Sequence, residues 1–380
     1  MTYQSVDSLQ RALAESIFSN RQDVKKAAGR ALGTIVELIT FYIFREWGFL
    51  YNMSIERGLA EFANDAVTHN VEFGIHPILS TASFSMTSKL PLSSSKIEKY
   101  VTQVKELQAY VAGSKAECKG HQLLSSTDIL RNACTLSEND RVLIIANLES
   151  RTESESRIRV SRLKTQPFAM VECKRVGVEE GMKKGPTTIE KAKQGAYVAK
   201  HVSALQKIRG RDGKMFGAMP QKDGTFDIRE LKEELRRLVY DADQSELDGF
   251  ILTVGIVSNH GNWFTANDLN KELLVLKQSY DWLLFLTDPA IGEFVEDTIL
   301  SKKPAMAAVR SAFSESYASG VSGNNKFTKV KISRSAHNVL VDYFHQHIKR
   351  IEENWFNVLS PSDINVHQLK LQLRALSQKL

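Results

Sequence analysis

The stretch that most constrains this chain is Pro167-Phe168-Ala169-Met170-Val171-Glu172-Cys173-Lys174-Arg175. An apolar run enters a core here and ends by delivering a carboxylate and an ammonium. In a strand, residues i and i+2 share a face. Glu172 and Lys174 therefore project side by side, and Cys173 faces the other way.

The rest of the chain supplies elements to surround such a strand. The first third reads mostly helical, with Ala28, Leu32, Ile35, Leu38, Ile39 and Tyr42 on one stripe of a helix over Lys25 to Phe49. A serine cluster, Ser93 to Ser95, precedes a helix over about Ile97 to Val111. Arg141 to Asn147 and Arg157 to Leu163 have strand composition, and Asp128 to Leu136 suggests a weaker strand. Only Lys164-Thr165-Gln166 separates the Arg157 strand from the Pro167 strand, which predicts a hairpin. Thr187 and Glu190 have capping-box spacing for a helix with Ala192, Ala196, Ala199 and Val202 inward. Asp248 to Val257 is the next strand. Asn270 to Leu286, Ser335 to Trp355 and Ser362 to Leu380 read as helices. The expected fold class is mixed α/β: a central mixed sheet flanked by helices, with additional helical N- and C-terminal regions.

Composition narrows the class. Of the 380 residues, 42% are hydrophobic and 25% charged, ordinary for a globular chain. Three cysteines, Cys118, Cys134 and Cys173, are too few for a disulfide framework or a four-cysteine zinc site. The most apolar stretch, Ile35 to Tyr51, carries Glu37, Arg45 and Glu46, so a buried helix is expected there and not a membrane span. Nothing at the start reads as a signal peptide, and a reduced, cytoplasmic protein without membrane attachment is expected. Net charge is +6, yet from Glu155 to Lys214 fifteen basic residues face six acidic ones, a local surplus of nine. Such a zone is the footprint expected for a phosphate backbone. Its candidate DNA contacts are Lys183, Lys184, Lys191, Lys193 and Lys200.

Glu172 beside Lys174 has a chemistry. A carboxylate can hold a divalent cation, and a neighbouring ammonium can steady a water or a developing phosphate charge. The pair suits metal-assisted phosphodiester hydrolysis. A bare E-x-K is more often a strand-end ion pair. Glu117-Cys118-Lys119 repeats the tripeptide without an apolar run and reads as a loop.

VECKR, followed by a capped, lysine-bearing helix with Gln194 and Tyr197 and then a buried strand, resembles the PD-(D/E)xK nuclease superfamily, in particular type II restriction endonucleases. The resemblance spans roughly Gly29 to Asn259. It implies a core of helix, three-stranded meander, helix and strand, and Mg2+-dependent cleavage of double-stranded DNA, commonly by a homodimer. It makes Glu172 a metal ligand, Lys174 the catalytic lysine and Glu37 an auxiliary acid. On this reading residues 1–112 are a helical N-terminal region contributing a core helix over about 25–49. Residues 113–290 are the nuclease core, and residues 291–380 are a helical region with dimer or DNA contacts. A repair or structure-specific nuclease of the same superfamily, or a non-catalytic DNA-binding protein, are the alternatives.

No Pro-Asp precedes the motif, so the first metal acid must be found by geometry. Hairpin geometry nominates Glu155. Local pattern, an acid opening Ile129-Leu130, nominates Asp128. Asp140 and Glu149 stand behind them. The remaining motifs read as structural. Gly177 to Gly185 is not a phosphate-binding loop, since no Gly-Lys-Ser/Thr opens a helix there, and reads as a linker or a loop touching DNA. His260-Gly261-Asn262-Trp263 reads first as a structural turn and second as a base-reading loop, and His345 with His347 are surface residues. The leucines from Leu369 to Leu380 are core before they are a dimer contact.

Overall fold

The computed structural model describes residues 24–110, 121–176, 195–259, 271–318 and 325–380, with Leu9, Ala12, Leu13 and Glu15 before them. Helix α1 (Val24–Phe44) follows its apolar stripe, and Leu32, Ile35, Leu38, Ile39 and Tyr42 are all buried. A π-helical turn over Arg45–Phe49 carries it to the expected end at Phe49, but from Met53 the chain turns to strands, contrary to the mostly helical expectation. Strands β1 (Met53–Glu61) and β2 (Asn64–Ile75) form a long antiparallel hairpin. Met53, Phe73 and Ile75 bury its inner end, whereas most of Asn64 to Asn70 is exposed. That solvated outer half has no period-2 apolar alternation to reveal a strand.

The chain then leaves on an excursion. It contains β3 (Ile78–Thr87), β4 (Leu92–Ser93), α2 (Ser94–Gln103), β5 (Gln122–Leu124), β6 (Ile129–Arg131), β7 (Cys134–Glu138), β8 (Val142–Arg151) and β9 (Glu155–Lys164). The serine cluster caps α2: Ser93 Oγ accepts from Lys96 N at 3.2 Å. One four-stranded sheet runs β3-β9-β8-β7, with Ile158 and Val160 turned into its core.

The expected hairpin between β9 and the motif strand does not form. Strand β9 pairs with β3 and β8. Strand β10 (Ala169–Val176) pairs instead with β2, antiparallel at Ala169↔Ile75, Met170↔Gly74 and Val171↔Phe73. A buried histidine ties the two ends of the excursion. His76 Nδ1 donates to the Lys164 carbonyl at 2.9 Å, and Nε2 accepts from Ser54 Oγ at 2.7 Å. Burial lowers the His76 pKa to about 4, which keeps the ring neutral and fits this tautomer.

Beyond β10, residues 195–201 form helix α3. A small sheet follows, β11 (Gln206–Arg209), β12 (Met215–Pro220) and β13 (Phe226–Glu230), then α4 (Leu231–Arg236) and β14 (Leu252–Asn259). The expected helix to Leu286 divides. Helix α5 covers Lys271–Lys277, and Trp282–Leu286 is strand β15, buried at every position. A short apolar run has no period that separates a buried strand from a buried helix. The chain closes with α6 (Asp288–Phe294), α7 (Ala307–Ala318), β16 (Lys331–Ser333), α8 (Arg334–Asn354), β17 (Phe356–Ser360) and α9 (Val366–Lys379). Leu369, Leu373 and Leu376 of α9 are core.

The central sheet is mixed and six-stranded, in the order β1-β2-β10-β14-β15-β17, with β10, β14 and β15 parallel to one another. It draws strands from 53–75, 169–286 and 356–360, so no one third of the chain owns it. Strand β16 completes a second four-stranded sheet with β6, β5 and β4. On one face of the central sheet Val171, Cys173 and Phe73 pack into the core that contains α1. On the other, Met170 packs with Ala196, Ala199 and Val202 of the α3 segment and with Tyr280.

Candidate active site

Strands β2 and β10 part at the motif. Their ladder stops at Val171↔Phe73, and two glutamates fill the gap. Glu72 Oε2 accepts from the Cys173 backbone N–H at 2.8 Å, and Glu172 Oε1 accepts from the Glu72 backbone N–H at 3.2 Å. Each carboxylate thus satisfies a donor that lost its strand partner. Their other oxygens converge on one ammonium. Lys174 Nζ lies 3.1 Å from Glu72 Oε1 and 3.0 Å from Glu172 Oε2. Glu172 and Lys174 share a face as expected, while the Cys173 thiol donates to Thr40 Oγ1 of α1 at 3.2 Å.

A second ammonium extends the cluster. Lys329 Nζ lies 3.2 Å from Glu37, 3.4 Å from Glu56 and 3.9 Å from Glu72 Oε1. Glu37 therefore does join the site, but through Lys329. Four carboxylates, Glu37, Glu56, Glu72 and Glu172, share two ammoniums. Burial, with the neighbouring charges second, shifts the groups of the cluster. Burial pushes the Glu172 carboxyl up, and Glu72 pushes it further. Burial likewise raises Glu37, with Lys329 opposing and Glu72 assisting. Burial pulls the Lys174 ammonium down, but Glu72 and Glu172 outweigh it and hold its pKa above the ordinary lysine value.

Helix α3 closes over the pair because residue 195 is glycine. A Cβ there would sit 2.8 Å from Tyr280 Oη and 3.2 Å from Lys174 Cε. Gly255 of β14 admits the Tyr280 ring in the same way. Burial holds the Tyr280 phenol well above its usual range, and Glu172 and Glu72 add to this, so it stays a neutral donor beside the acids. Further along α3, Tyr197 is half exposed and stacks on His201, with ring centroids 4.0 Å apart.

Neither nominated first acid is brought to Glu172. Asp128 sits in the turn before β6 at φ 60, and its carboxylate takes Arg334 Nε at 2.7 Å. Aspartate tolerates this conformation, which explains its place in a turn and not at a strand opening. Glu155 is exposed at the start of β9, opposite Thr87. Of the two residues behind them, Asp140 is exposed, and Glu149 pairs with Arg157 and Arg159 at 3.0 and 2.7 Å. The residue that does meet Glu172 is Glu72. Its signal was a carboxylate inside an apolar stretch, Val71-Glu72-Phe73-Gly74-Ile75, the same pattern as Val171-Glu172-Cys173. Glu56, Lys329 and Tyr280 carried no comparable signal.

The basic zone divides among several elements. Arg157 and Arg159 serve Glu149, Lys207 is buried against Asp281, and Lys174 is in the cluster. Lys200 is exposed on α3. Lys183, Lys184, Lys191 and Lys193 lie outside the described residues, as do Gln194, Thr187, Glu190, His260 to Trp263, Gly177 to Gly185 and the Glu117-Cys118-Lys119 repeat. His345 is exposed, with Nδ1 3.1 Å from Glu46, and His347 packs edge-on to Tyr343. Among the described residues no helix is long and apolar enough to cross a membrane.

No protein-family model, curated protein or solved structure matches the chain.

Proposed function

We propose that this chain is a metal-dependent, sequence-specific endonuclease that hydrolyses double-stranded DNA, of the type II restriction class. The observation that carries the reading is the convergence of Glu72 and Glu172, from adjacent strands, on the Lys174 ammonium. The order of elements supports it. Helix α1, the strands β1, β2 and β10, helix α3 and the parallel strand β14 follow the order expected of a PD-(D/E)xK core, with residues 76–168 as an excursion between the second and third strands. In this reading Glu72 takes the place assigned above to Asp128 or Glu155.

The donor set fits Mg2+. Among the described residues no three His, Cys, Asp or Glu side chains gather as a ready cage. Mg2+ does not ask for one, since it is held by one or two carboxylates with waters and phosphate oxygens completing the octahedron. Four carboxylates against two ammoniums leave two negative charges, which one divalent cation neutralises. Glu72 and Glu172 would hold the ion. When bound, it supplies Lewis acidity at the phosphate and lowers the pKa of a coordinated water. Lys174, freed from bridging two acids, orients the attacking water and stabilises charge that develops on the phosphate. Exposed Lys200 on α3 supplies a phosphate contact. A palindromic target makes a homodimer the expected assembly.

One observation favours the repair or structure-specific alternative. The half-exposed Tyr197, stacked on His201 two residues beyond Gly195, is a platform for an unpaired base. Incubating the purified protein with supercoiled plasmid, a forked duplex and single strands, each with and without Mg2+, separates the readings. Discrete plasmid fragments that require Mg2+ support the restriction reading. Cutting confined to the fork supports the repair reading, and binding without cutting supports a non-catalytic DNA-binding protein.

A further inference from the structure

A cavity of about 790 Å³ opens beside the small sheet, within the size range of small-molecule sites. Its walls are the turn between β11 and β12, the start of α4, the end of α5 and the chain where β17 ends. It is separate from the cluster around Glu172. Glu172 pairs with Gly255, Gly255 with Leu283, and Leu283 with Ser360, which lines the cavity. Three strand steps at ~4.8 Å place the two about 14 Å apart across the sheet. Five cations line the cavity, Arg209, Arg211, Lys214, Lys232 and Lys277, against two acids, Asp212 and Glu230, a formal surplus of three positive charges. Both acids are engaged within the wall. Asp212 Oδ1 accepts from the Lys214 backbone N–H at 3.1 Å, which fixes the turn, and Glu230 lies 3.6 Å from Lys214 Nζ. The turn is closed by Gly210 N donating to the Lys214 carbonyl at 2.8 Å, with Gly213 at φ 84, a conformation glycine adopts without strain. Lys277 comes from the other side, on α5, and is 9% exposed, so folding sets one of the five cations into the wall. Met215, Leu274 and Leu359 give the cavity an apolar side. A concave site lined by one sign of charge concentrates ions of the other.

We propose that this cavity binds a polyphosphorylated small molecule with an apolar body, the chemistry of a nucleoside di- or triphosphate. The phosphates take the surplus positive charge, with Arg209 and Arg211 suited to two-pronged contact, and the nucleoside lies against Met215, Leu274 and Leu359. A duplex backbone runs along a surface and would leave the apolar side unfilled, so a small ligand fits the shape better. Binding here does not require the cluster around Glu172 and stands whether or not the chain cuts DNA. Isothermal titration calorimetry of the full chain with ATP, inorganic triphosphate and adenosine, each in EDTA, is the test. EDTA removes any route through a metal held by Glu72 and Glu172. ATP should bind, triphosphate more weakly and adenosine more weakly still, and ATP affinity should fall as salt rises. Arg211→Gln and Arg209→Gln should each weaken ATP about tenfold, as when one charge-assisted hydrogen bond is lost. Both side chains are exposed, so these variants keep their fold even if Lys277→Gln does not. Lys200→Gln on α3 should bind ATP as the wild type does. No ATP binding by the wild type, or equal ATP binding by wild type, Arg209→Gln and Arg211→Gln, overturns the proposal. Triphosphate binding as tightly as ATP overturns the apolar body. Weakened duplex DNA binding by Arg211→Gln, with no ATP binding by the wild type, assigns the cavity to the DNA backbone and overturns the proposal as well.

Discussion

Among the described residues lysine is buried against carboxylate at Lys207 and in the cluster around Glu172, and the two differ in arithmetic. Lys207 and Asp281 are fully buried, 3.2 Å apart, one charge against one. The other Asp281 oxygen accepts from Thr253 N at 2.7 Å and from Thr253 Oγ1 at 2.8 Å, which ties β14 to the residue before β15. The cluster around Glu172 sets four acids against two ammoniums, and burial drives the Glu172 and Glu37 carboxyls up. A balanced pair holds one conformation. An unbalanced cluster keeps a net negative charge, which the proposed function assigns to a cation. Carboxyls perturbed by burial and by a neighbouring acid concentrate at functional sites.

Breaking the balanced pair should give the largest change. Asp281→Ala leaves the Lys207 charge buried and unpaired and should cost about 3–5 kcal/mol in urea unfolding. In the unbalanced cluster the loss is in chemistry. Lys174→Ala should lower cleavage about 10²–10³-fold, as when one stabilising donor is lost, while DNA binding changes little.

The next effect is thermodynamic and reads the charge surplus itself. Mg2+ at a hundredfold its dissociation constant should stabilise the wild type by about 2.7 kcal/mol and leave Glu172→Gln nearly unmoved. Without metal, the raised Glu172 pKa means that the folded state binds its proton more tightly than the unfolded chain. Its stabilising contribution is therefore full at low pH and declines as pH rises from the ordinary carboxylate value of 4.5 through the elevated one. Thermal melts across pH should show that decline in the wild type and a shallower one in Glu172→Gln. The smallest effect belongs to Asp128→Asn. Its pair with Arg334 is 42% and 32% exposed, and losing it should cost under about 1 kcal/mol with cleavage retained.

The legible parts of the fold were those with a strong local period. Helices α1, α8 and α9 lie where apolar spacing placed them, and so do Glu172 and Lys174, because the side-chain alternation of a single strand needs no knowledge of its neighbours. Pairing was not legible. Strand β10 chose β2, about a hundred residues earlier, over β9, which precedes it by a short loop. The turn-length argument failed because the buried junction of Ser54, His76 and Lys164 holds β9 in another sheet. Glu72 was hidden by the solvated half of its own hairpin. Glu56 and Lys329 reach the site only through tertiary packing, which a linear reading does not contain.

The account turns on Glu72 being the partner of Glu172. Cleavage of supercoiled plasmid by Glu72→Gln, run beside Asp128→Asn, Glu155→Gln and wild type in Mg2+, measures this directly. Wild type, Asp128→Asn and Glu155→Gln should cut with the same fragment pattern, and Glu72→Gln should leave the plasmid intact while remaining folded. Wild-type cutting by Glu72→Gln, or loss of cutting in Asp128→Asn or Glu155→Gln alone, would contradict the assignment.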